Sequence, residues 1–261
     1  MFSYWRSNKV KFNKCRLLLI IALAISIKVS GQTNDSGINL SKNNEIWFDV
    51  YLHYYINDKL EYYGDAGFRT IINEQSWNRI YARPSIRHHI NDHWELHAGL
   101  GLFYIFFNED EFNRFELTPW QGIQLNWPKF GILGFKHLVK LEERISFLTE
   151  DWTSSYGFRF RYKLSGKLSL PKSESSSQWF IPFYGELFFP AFDKIEAFFS
   201  DKMRTGIGIG YSKSDWNIQL LYNWQSARVV PSDNFKYNDN AFQIKIKKTW
   251  IKKMKQKSID K

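Results

Sequence analysis

The sequence contains very little cysteine and no long apolar run after its first 31 residues. Its single cysteine, Cys15, lies within those residues, so the remaining 230 residues have none. Without cysteine these residues can form neither disulfides nor thiolate metal sites, which excludes the small disulfide-stapled secreted scaffolds. A soluble core of this size would show some continuous apolar runs, but after residue 31 no segment is apolar for even ten residues. The apolar residues are therefore dispersed along the chain.

The sequence also lacks the signatures of hydrolytic enzymes. A lipase, deacylase or protease needs a nucleophile with a base within reach, and no Gly-x-Ser-x-Gly motif occurs. No serine forms a recognisable motif with any of the six histidines, which are His53, His88, His89, His93, His97 and His137. We therefore expect no enzymatic activity and no cofactor.

A broad positive charge is absent as well, although the formal net charge is +10. Residues 1–31 carry six Lys or Arg and no acid, and residues 245–261 carry eight Lys against one Asp. Residues 32–244 hold 22 basic and 25 acidic residues. Because the basicity is confined to the two ends, a nucleic-acid partner is not expected.

The first 31 residues have the layout of a secretory signal peptide. A basic start is followed by an apolar stretch, Leu17–Ile25, and then by the small residues Ser30 and Gly31. The stretch is shorter than the roughly 20 residues that a membrane-spanning helix needs. Cys15 precedes the apolar stretch, so this is not a lipoprotein signal. We predict cleavage near Gly31/Gln32 and export through the periplasm.

The dispersed apolar residues alternate with a period of two, which indicates β-strands. Between Trp94 and Tyr104, for example, the even positions are mostly apolar, and the odd positions include Glu95 and His97. Eleven runs of this kind can be read: 45–55, 59–70, 78–89, 94–104, 112–126, 135–147, 155–165, 180–189, 202–211, 216–225 and 240–250.

The length of these runs favours strands that cross a membrane. Each has about ten residues or more, as a tilted transmembrane strand needs, whereas strands of soluble proteins usually stop near five or six. Alternation alone cannot tell inside from outside, but strand length, strand number and the leader together predict an outer-membrane barrel with an apolar outer face and a polar lumen. Single-chain bacterial barrels have an even number of strands, so we expect twelve strands, with ten as the alternative.

The connections between the runs also differ in length. Asn57-Asp58, Asn91-Asp92 and Lys213–Asp215 are predicted to be tight turns. The segments Pro190–Asp201 and Ser226–Asp239 are long. Barrels of this class have short periplasmic turns and longer outer loops, which predicts that the two long segments face the cell exterior.

Alternation also predicts which charged side chains point into the lumen. The candidates are Arg69, Arg79, Arg83, Arg87, Glu116, Lys140, Glu142, Arg144, Arg159, Arg161, Glu186 and Arg204. Both signs occur on nearby strands, so one interpretation is a narrow lumen closed by paired charges, since unpaired buried charges are costly. The alternative is a selective passage lined by arginine, which would suit anionic solutes.

Two further patterns, the clustered histidines and the alternating glycines, favour structural roles over a metal or nucleotide site. His88, His89, His93 and His97 cluster around the Asn91-Asp92 turn, but they lack a defined metal-ligand spacing, so interfacial side chains are favoured over a metal site. Gly206, Gly208 and Gly210 alternate on a strand rather than preceding a helix, which argues against a nucleotide loop. They leave room for bulky lumen side chains such as the arginines opposite.

Several strings together resemble the outer-membrane barrel family called domain of unknown function 2490. They are Tyr81–Ser85, Phe115–Gln121, His137–Arg144, Arg159–Tyr162, Gly185–Phe188 and Arg204–Gly208. The resemblance implies an outer-membrane location and a barrel from about Glu45 to Trp250, and the family has no assigned activity. An arginine commonly follows the histidine that corresponds to His137 in the family, whereas this chain has Leu138, so one lumen pairing of the family is not expected here.

The sequence thus predicts an all-β transmembrane up-and-down barrel with no catalytic and no metal site. Residues 1–31 are a cleaved leader, 32–44 a linker, 45–250 the barrel and 251–261 a basic tail. The expected partners are the lipid bilayer and, during insertion, periplasmic chaperones and the barrel-assembly machinery. The sequence patterns indicate no specific protein partner and no ligand.

Overall fold

The fold was analysed in a computed structural model that describes residues 43–72, 78–107, 112–171, 177–191, 202–227 and 237–251. Residues 1–42 and 252–261, which hold the predicted leader, most of the linker and most of the basic tail, lie outside the described residues. So do the middle parts of the two long segments, at 192–201 and 228–236. The described residues contain no helix that is long and apolar enough to span a membrane.

Eleven strands form one closed barrel. Their bounds are β1 (Asn44–Tyr55), β2 (Leu60–Ile71), β3 (Asn78–His89), β4 (Trp94–Phe106), β5 (Arg114–Asn126), β6 (Leu133–Leu148), β7 (Ser154–Ser169), β8 (Gln178–Ala191), β9 (Lys202–Lys213), β10 (Trp216–Ala227) and β11 (Tyr237–Ile251). Each strand corresponds to one alternating run of the sequence, so the all-β barrel prediction is confirmed.

The even strand number that we expected, twelve or ten, is not observed. Every strand pairs antiparallel with the next one along the chain, and β1 closes the barrel by pairing with β11 in parallel. The closing register runs from Asn44↔Asn240 to Tyr55↔Ile251. Because consecutive strands reverse direction, the first and last of an odd number run the same way. A parallel pair can form backbone hydrogen bonds along its whole length, so closure does not require a twelfth strand.

The connections divide the barrel into two ends. The turn end carries the connections that lead from odd-numbered to even-numbered strands, and the loop end carries the others. At the turn end, Asn57 Oδ1 accepts backbone N–H bonds from Lys59 and Leu60 at 2.9 and 2.8 Å, and Asn91 caps the β3–β4 turn in the same way. Such Asn side chains stabilise the reversal because they replace backbone acceptors.

Polar side chains are buried and apolar side chains are exposed in this barrel, the reverse of the arrangement in a soluble globular protein. In β1, Glu45, Trp47 and Asp49 face inward and are at most 1% exposed, whereas Ile46 and Phe48 face outward and are 45% and 41% exposed. The same inversion holds in β4, where Glu95 and His97 are buried and Leu96 is exposed. The polar face therefore lies inside the barrel, where it must satisfy its own hydrogen bonds and charges.

The β9–β10 turn contains a residue with a strained backbone conformation, and a substitution there tests the geometry of the turn. Ser214 has a φ of +53°, and the left-handed region costs a non-glycine residue about 1–2 kcal/mol. We predict that Ser214→Gly raises the free energy of unfolding by up to about 1 kcal/mol, after the entropic cost of glycine. Ser154→Gly, at the extended start of β7, should instead lower it by about 0.5 kcal/mol. Denaturant unfolding of both variants is the measurement, and equal shifts would contradict the turn geometry.

Candidate functional site: the charged lumen

All twelve charged side chains singled out in the sequence lie on the inner face of the barrel. Strand alternation sends them there, because residues two apart share a face. Ten of them line one cavity in the loop-end half of the barrel, Glu186 is hydrogen-bonded to two of those ten, and Arg87 lies nearer the turn end. The lumen is thus where the chemistry of this chain is concentrated.

A ladder of alternating charges crosses four neighbouring strands. Glu142 on β6 accepts hydrogen bonds from Arg159 Nε at 2.7 Å and from Arg161 Nη1 at 3.0 Å. Arg161 Nε donates in turn to Glu186 on β8 at 2.6 Å, and Arg204 Nη1 on β9 lies 3.4 Å from the same carboxylate. Each carboxylate bridges two guanidinium groups, so the charges offset each other across the strands.

The ladder continues across the parallel seam through amide groups. Arg204 Nη2 donates to Gln225 Oε1 at 3.1 Å, and Gln225 Nε2 donates to Glu45 Oε1 at 2.7 Å. Gln225 lies on β10 and Glu45 on β1, so this bond passes over β11. The β11 residue in register with Glu45 is Ala241, which is fully buried and small enough to let the amide reach.

Two further pairs are separate from the ladder among the hydrogen bonds described. Arg144 binds Glu116 through Nε at 3.2 Å and Nη2 at 2.5 Å, and Thr118 Oγ1 donates to the same carboxylate at 2.9 Å. Arg83 makes a forked contact with Asp65, with Nε within 3.2 Å of both oxygens and Nη2 bonded to one of them. Forked guanidinium–carboxylate pairs fix orientation as well as charge.

Arg69 and Lys140 contact aromatic rings instead of carboxylates. The Arg69 guanidinium carbon lies 4.1 Å from the Trp47 ring centroid and 5.2 Å from that of Tyr81. Lys140 Nζ lies 3.2 Å from the ring centroid of Trp120. A cation over an aromatic face is attracted by the ring quadrupole, which contributes about 0.5–2 kcal/mol. Neither residue forms an ion pair within 4.0 Å among the described residues, so carboxylates act on both only at longer range.

A second cluster of ionisable groups lies in the lumen near the turn end, and the sequence did not reveal it. Glu61 lies 2.5 Å from His53 Nδ1, 3.0 Å from Arg87 Nη1 and 3.3 Å from His89 Nε2. Arg87 Nε also lies 3.3 Å from Glu95. The usable signal was the inward position of His53 and Glu61 on either side of the Asn57-Asp58 turn.

The four histidines that cluster in the sequence separate in the barrel. His89 and His97 point into the lumen, where both lie 3.3 Å from Glu95, whereas His93 is in the exposed turn. His88 alternates with His89 and so points outward. Among the described residues, no group of three or more His, Cys, Asp or Glu side chains is arranged to hold a metal ion.

The glycines of β9 make room for aromatic rings rather than for the arginines that we expected. A Cβ atom on Gly206 would lie 2.3 Å from the Tyr184 ring, and one on Gly210 would lie 2.2 Å from the Phe180 ring. These rings come from β8, the neighbouring strand. The interior is therefore filled by aromatic rings interleaved with charged groups.

Leu138 occupies the position at which an arginine is common in the family that the sequence resembles. It is in register with Gln124 on β5. Gln124 Nε2 donates to Glu95 at 2.7 Å, and Asn126 Nδ2 donates to the other oxygen of Glu95 at 2.8 Å. Two neutral amides thus bind this carboxylate on the side where Leu138 provides no cation.

The lumen contains a cavity of about 80 Å³ that extends from the middle of the barrel toward its loop end. Eight cationic side chains line it: Arg69, Arg79, Arg83, Lys140, Arg144, Arg159, Arg161 and Arg204. Its lining includes three carboxylates, those of Glu45, Glu116 and Glu142. Asp65 and Glu186 bind three of these cations from beside the cavity, so the wall keeps an excess of positive charge that is smaller than its lining alone suggests.

The Glu116–Arg144 pair provides a test of charge coupling in the lumen. Glu116→Gln and Arg144→Met should each cost about 3–5 kcal/mol, because each strands a buried charge, and the double variant should cost less than their sum. The exposed Lys248–Asp215 pair, 2.7 Å apart, is the matched control and should show little coupling because solvent screens it. Unfolding in detergent measures both cycles, and additive losses at Glu116 and Arg144 would mean separately hydrated charges.

Comparison with known proteins assigns this chain to a family. A family model described as "protein of unknown function (DUF2490)" matches residues 44–236, from the first residue of β1 to the residue before β11. Comparisons with curated proteins and with solved structures give no match. The family model covers more than half of the chain, and the chain therefore belongs to the DUF2490 family.

Proposed function

We propose that this chain is a non-enzymatic outer-membrane barrel whose lumen is closed by its own charged and aromatic side chains. The observation that carries the proposal is the filled interior, in which the charge ladder and the stacked rings leave a cavity of about 80 Å³ in the loop-end half of the barrel. Such a cavity holds a few water molecules. A barrel closed in this way acts as a rigid membrane scaffold rather than as a channel.

The outer face supports embedding in a bilayer. Large apolar side chains that are at least 40% exposed follow one another around the barrel, among them Ile46, Phe48, Ile80, Ile86, Leu96, Val139, Phe160, Ile207, Ile209, Leu220, Phe242 and Ile244. Soluble monomers rarely expose a continuous apolar surface of this extent. Hydrocarbon around the barrel would remove this surface from water.

Exposed tryptophans near both ends of the barrel support the same proposal, with Trp152 at the loop end. Five exposed tryptophans lie at the turn end: Trp94, Trp127, Trp179, Trp216 and Trp250. Tryptophan is favoured at the level of lipid headgroups, because its ring is apolar and its N–H is polar. With short turns on the periplasmic side, the turn end faces the periplasm and the loop end faces outward.

The histidine contacts support a non-enzymatic role. Hydrogen bonds of the histidine rings go to Glu61, to the hydroxyls of Tyr63 and Tyr162 and to a backbone carbonyl. Serine and threonine nucleophiles are commonly activated by a base that is hydrogen-bonded to them. The bonding of these histidines instead resembles that of buried structural groups.

The electropositive cavity wall favours one alternative function, a small pore for anionic solutes. Rings of arginine and lysine favour anions in selective pores, and eight cationic side chains line the cavity. Single-channel recording in planar bilayers separates the two functions, with flotation of proteoliposomes as the check on insertion. We expect no discrete conductance steps from the inserted protein. Steps with anion selectivity would overturn the closed scaffold.

Bilayer embedding is tested by placing a charge on the outer face. Leu220, 53% exposed near the middle of β10, should tolerate arginine almost without cost if water surrounds the barrel. In a bilayer the same change costs about 2–4 kcal/mol near the midplane. Ile56, 42% exposed in the β1–β2 turn, is the matched control, because arginine there reaches the interface.

The readout for both variants is the yield of folded protein in the outer-membrane fraction and its unfolding free energy in lipid. We expect Leu220→Arg to lose both and Ile56→Arg to retain them. Equal behaviour of the two variants, or recovery of the wild type in the soluble periplasm, would contradict the membrane proposal.

A further inference from the structure

The three carboxylates that line the cavity in the loop-end half of the barrel all accept hydrogen bonds from neighbouring side chains. Glu142 is bound by Arg159 and Arg161, and Glu116 is bound by Arg144. Glu45 accepts hydrogen bonds from Trp47 Nε1 and from an amide of Gln225. Two of these carboxylates are thus taken up by Arg144, Arg159 and Arg161, and the single charge of Glu45, whose donors are neutral, faces the other cations of the wall.

Arg69 forms no ion pair within 4.0 Å among the described residues, and the carboxylates of Glu45 and Asp49 attract it only at longer range. Its side chain lines the cavity and is only 9% exposed, and its buried Nε has no hydrogen-bond partner. It is in direct register with Arg79 on β3, which lines the same cavity. Like charges directly opposite each other on neighbouring strands are destabilising, so an anion beside them would stabilise this part of the barrel.

Lys140 lines the same cavity and is a second cation that forms no ion pair among the described residues. Its ammonium group lies over the Trp120 ring, and no carboxylate oxygen lies within 4.0 Å of it among the described residues. The cavity wall therefore combines a guanidinium from β2 with an ammonium from β6, and the indole rings of Trp47 and Trp120 form part of the same wall.

We propose that this cavity binds one small oxyanion of the phosphate or sulfate type, held by Arg69 and Lys140. Guanidinium groups bind such oxyanions through parallel N–H donors, and lysine binds them as a point charge. The cavity volume fits an anion of a few heavy atoms and is too small for a nucleotide. Occupancy would compensate the two cations without changing the fold. This inference requires the folded barrel only and is independent of whether the barrel conducts.

Binding is measured on the full-length protein in detergent, with inorganic phosphate as the probe. The reference buffer contains a bulky organic sulfonate as its anion, at constant ionic strength. We expect saturable binding of one phosphate per barrel by equilibrium dialysis, together with a phosphate-dependent rise in the unfolding temperature. Sulfate should compete, whereas acetate and chloride should compete weakly.

Lys140→Met is the diagnostic variant, with Lys140→Gln as a second form should methionine prevent folding. Loss of one charge-assisted contact should weaken phosphate binding about tenfold or more. In the sulfonate buffer the variant should unfold at the same or a higher temperature than the wild type, because a buried cation with no ion pair in the described part of the chain has been removed. A lysine that only packs on Trp120 would instead lower the unfolding temperature in both buffers.

Lys167→Met is the matched control. Lys167 Nζ also stacks on a ring, 4.2 Å from the Phe180 centroid, but its exposed side chain does not line the cavity. This variant should bind phosphate like the wild type. The proposal is overturned if the wild type shows no saturable phosphate binding, if all anions shift unfolding equally, or if Lys167→Met loses as much affinity as Lys140→Met. Preferential binding of acetate would overturn the assignment to a tetrahedral oxyanion.

Discussion

The pairing of guanidinium groups with carboxylates inside a narrow barrel is the interaction on which the rest of this structure depends. Strand alternation forces half of every strand to face inward, and here that half carries arginine, lysine and glutamate. A buried charge that lacks a partner is destabilising by several kcal/mol. The strand registers are therefore constrained twice, by the backbone ladder and by the need to bring Glu142 between Arg159 and Arg161 and Glu186 between Arg161 and Arg204.

Aromatic rings supplement the ion pairs of the lumen by contacting its cations. Trp47 lies under the guanidinium groups of Arg69 and Arg204, and Phe188 contacts Arg159, Arg161 and Arg204. These rings exclude water and hold the cations in fixed orientations, but they carry no net charge. The lumen thus combines tight filling with an excess of positive charge. The proposed closed scaffold and the proposed anion site are therefore compatible in the same interior.

The sequence was sufficient to predict the strands, because period-two alternation is a local property that the tertiary structure did not override. The predicted run 216–225 became β10 at Trp216–Ala227, and the inward positions of Glu142 and Arg204 followed from the same alternation. Which charges meet could not be predicted, because a contact such as Gln225–Glu45 joins residues 180 positions apart. That contact depends on barrel closure and on the small side chain of Ala241.

The sequence did not predict the odd number of strands or the cluster of ionisable groups near the turn end, for related reasons. An even strand number is a rule for bacterial barrels, not a property of these residues, and nothing local in β1 or β11 indicates a parallel partner. The association of His53 and Glu61 with Arg87 and Glu95 requires the register of four strands. Sequence clustering of the histidines pointed to a rim, whereas alternation separates His88 from His89.

The parallel seam also determines where the two ends of the barrel's chain emerge. In an even-stranded barrel the first strand begins and the last strand ends at the same mouth. Here β1 begins at the loop end and β11 ends at the turn end. A label attached just before Asn44 and one attached just after Ile251 would lie at opposite mouths, so a reagent confined to one side would reach only one of them. A circular permutant that joins these ends directly is also ruled out, since the linker would have to cross the length of a filled lumen or of the outer wall.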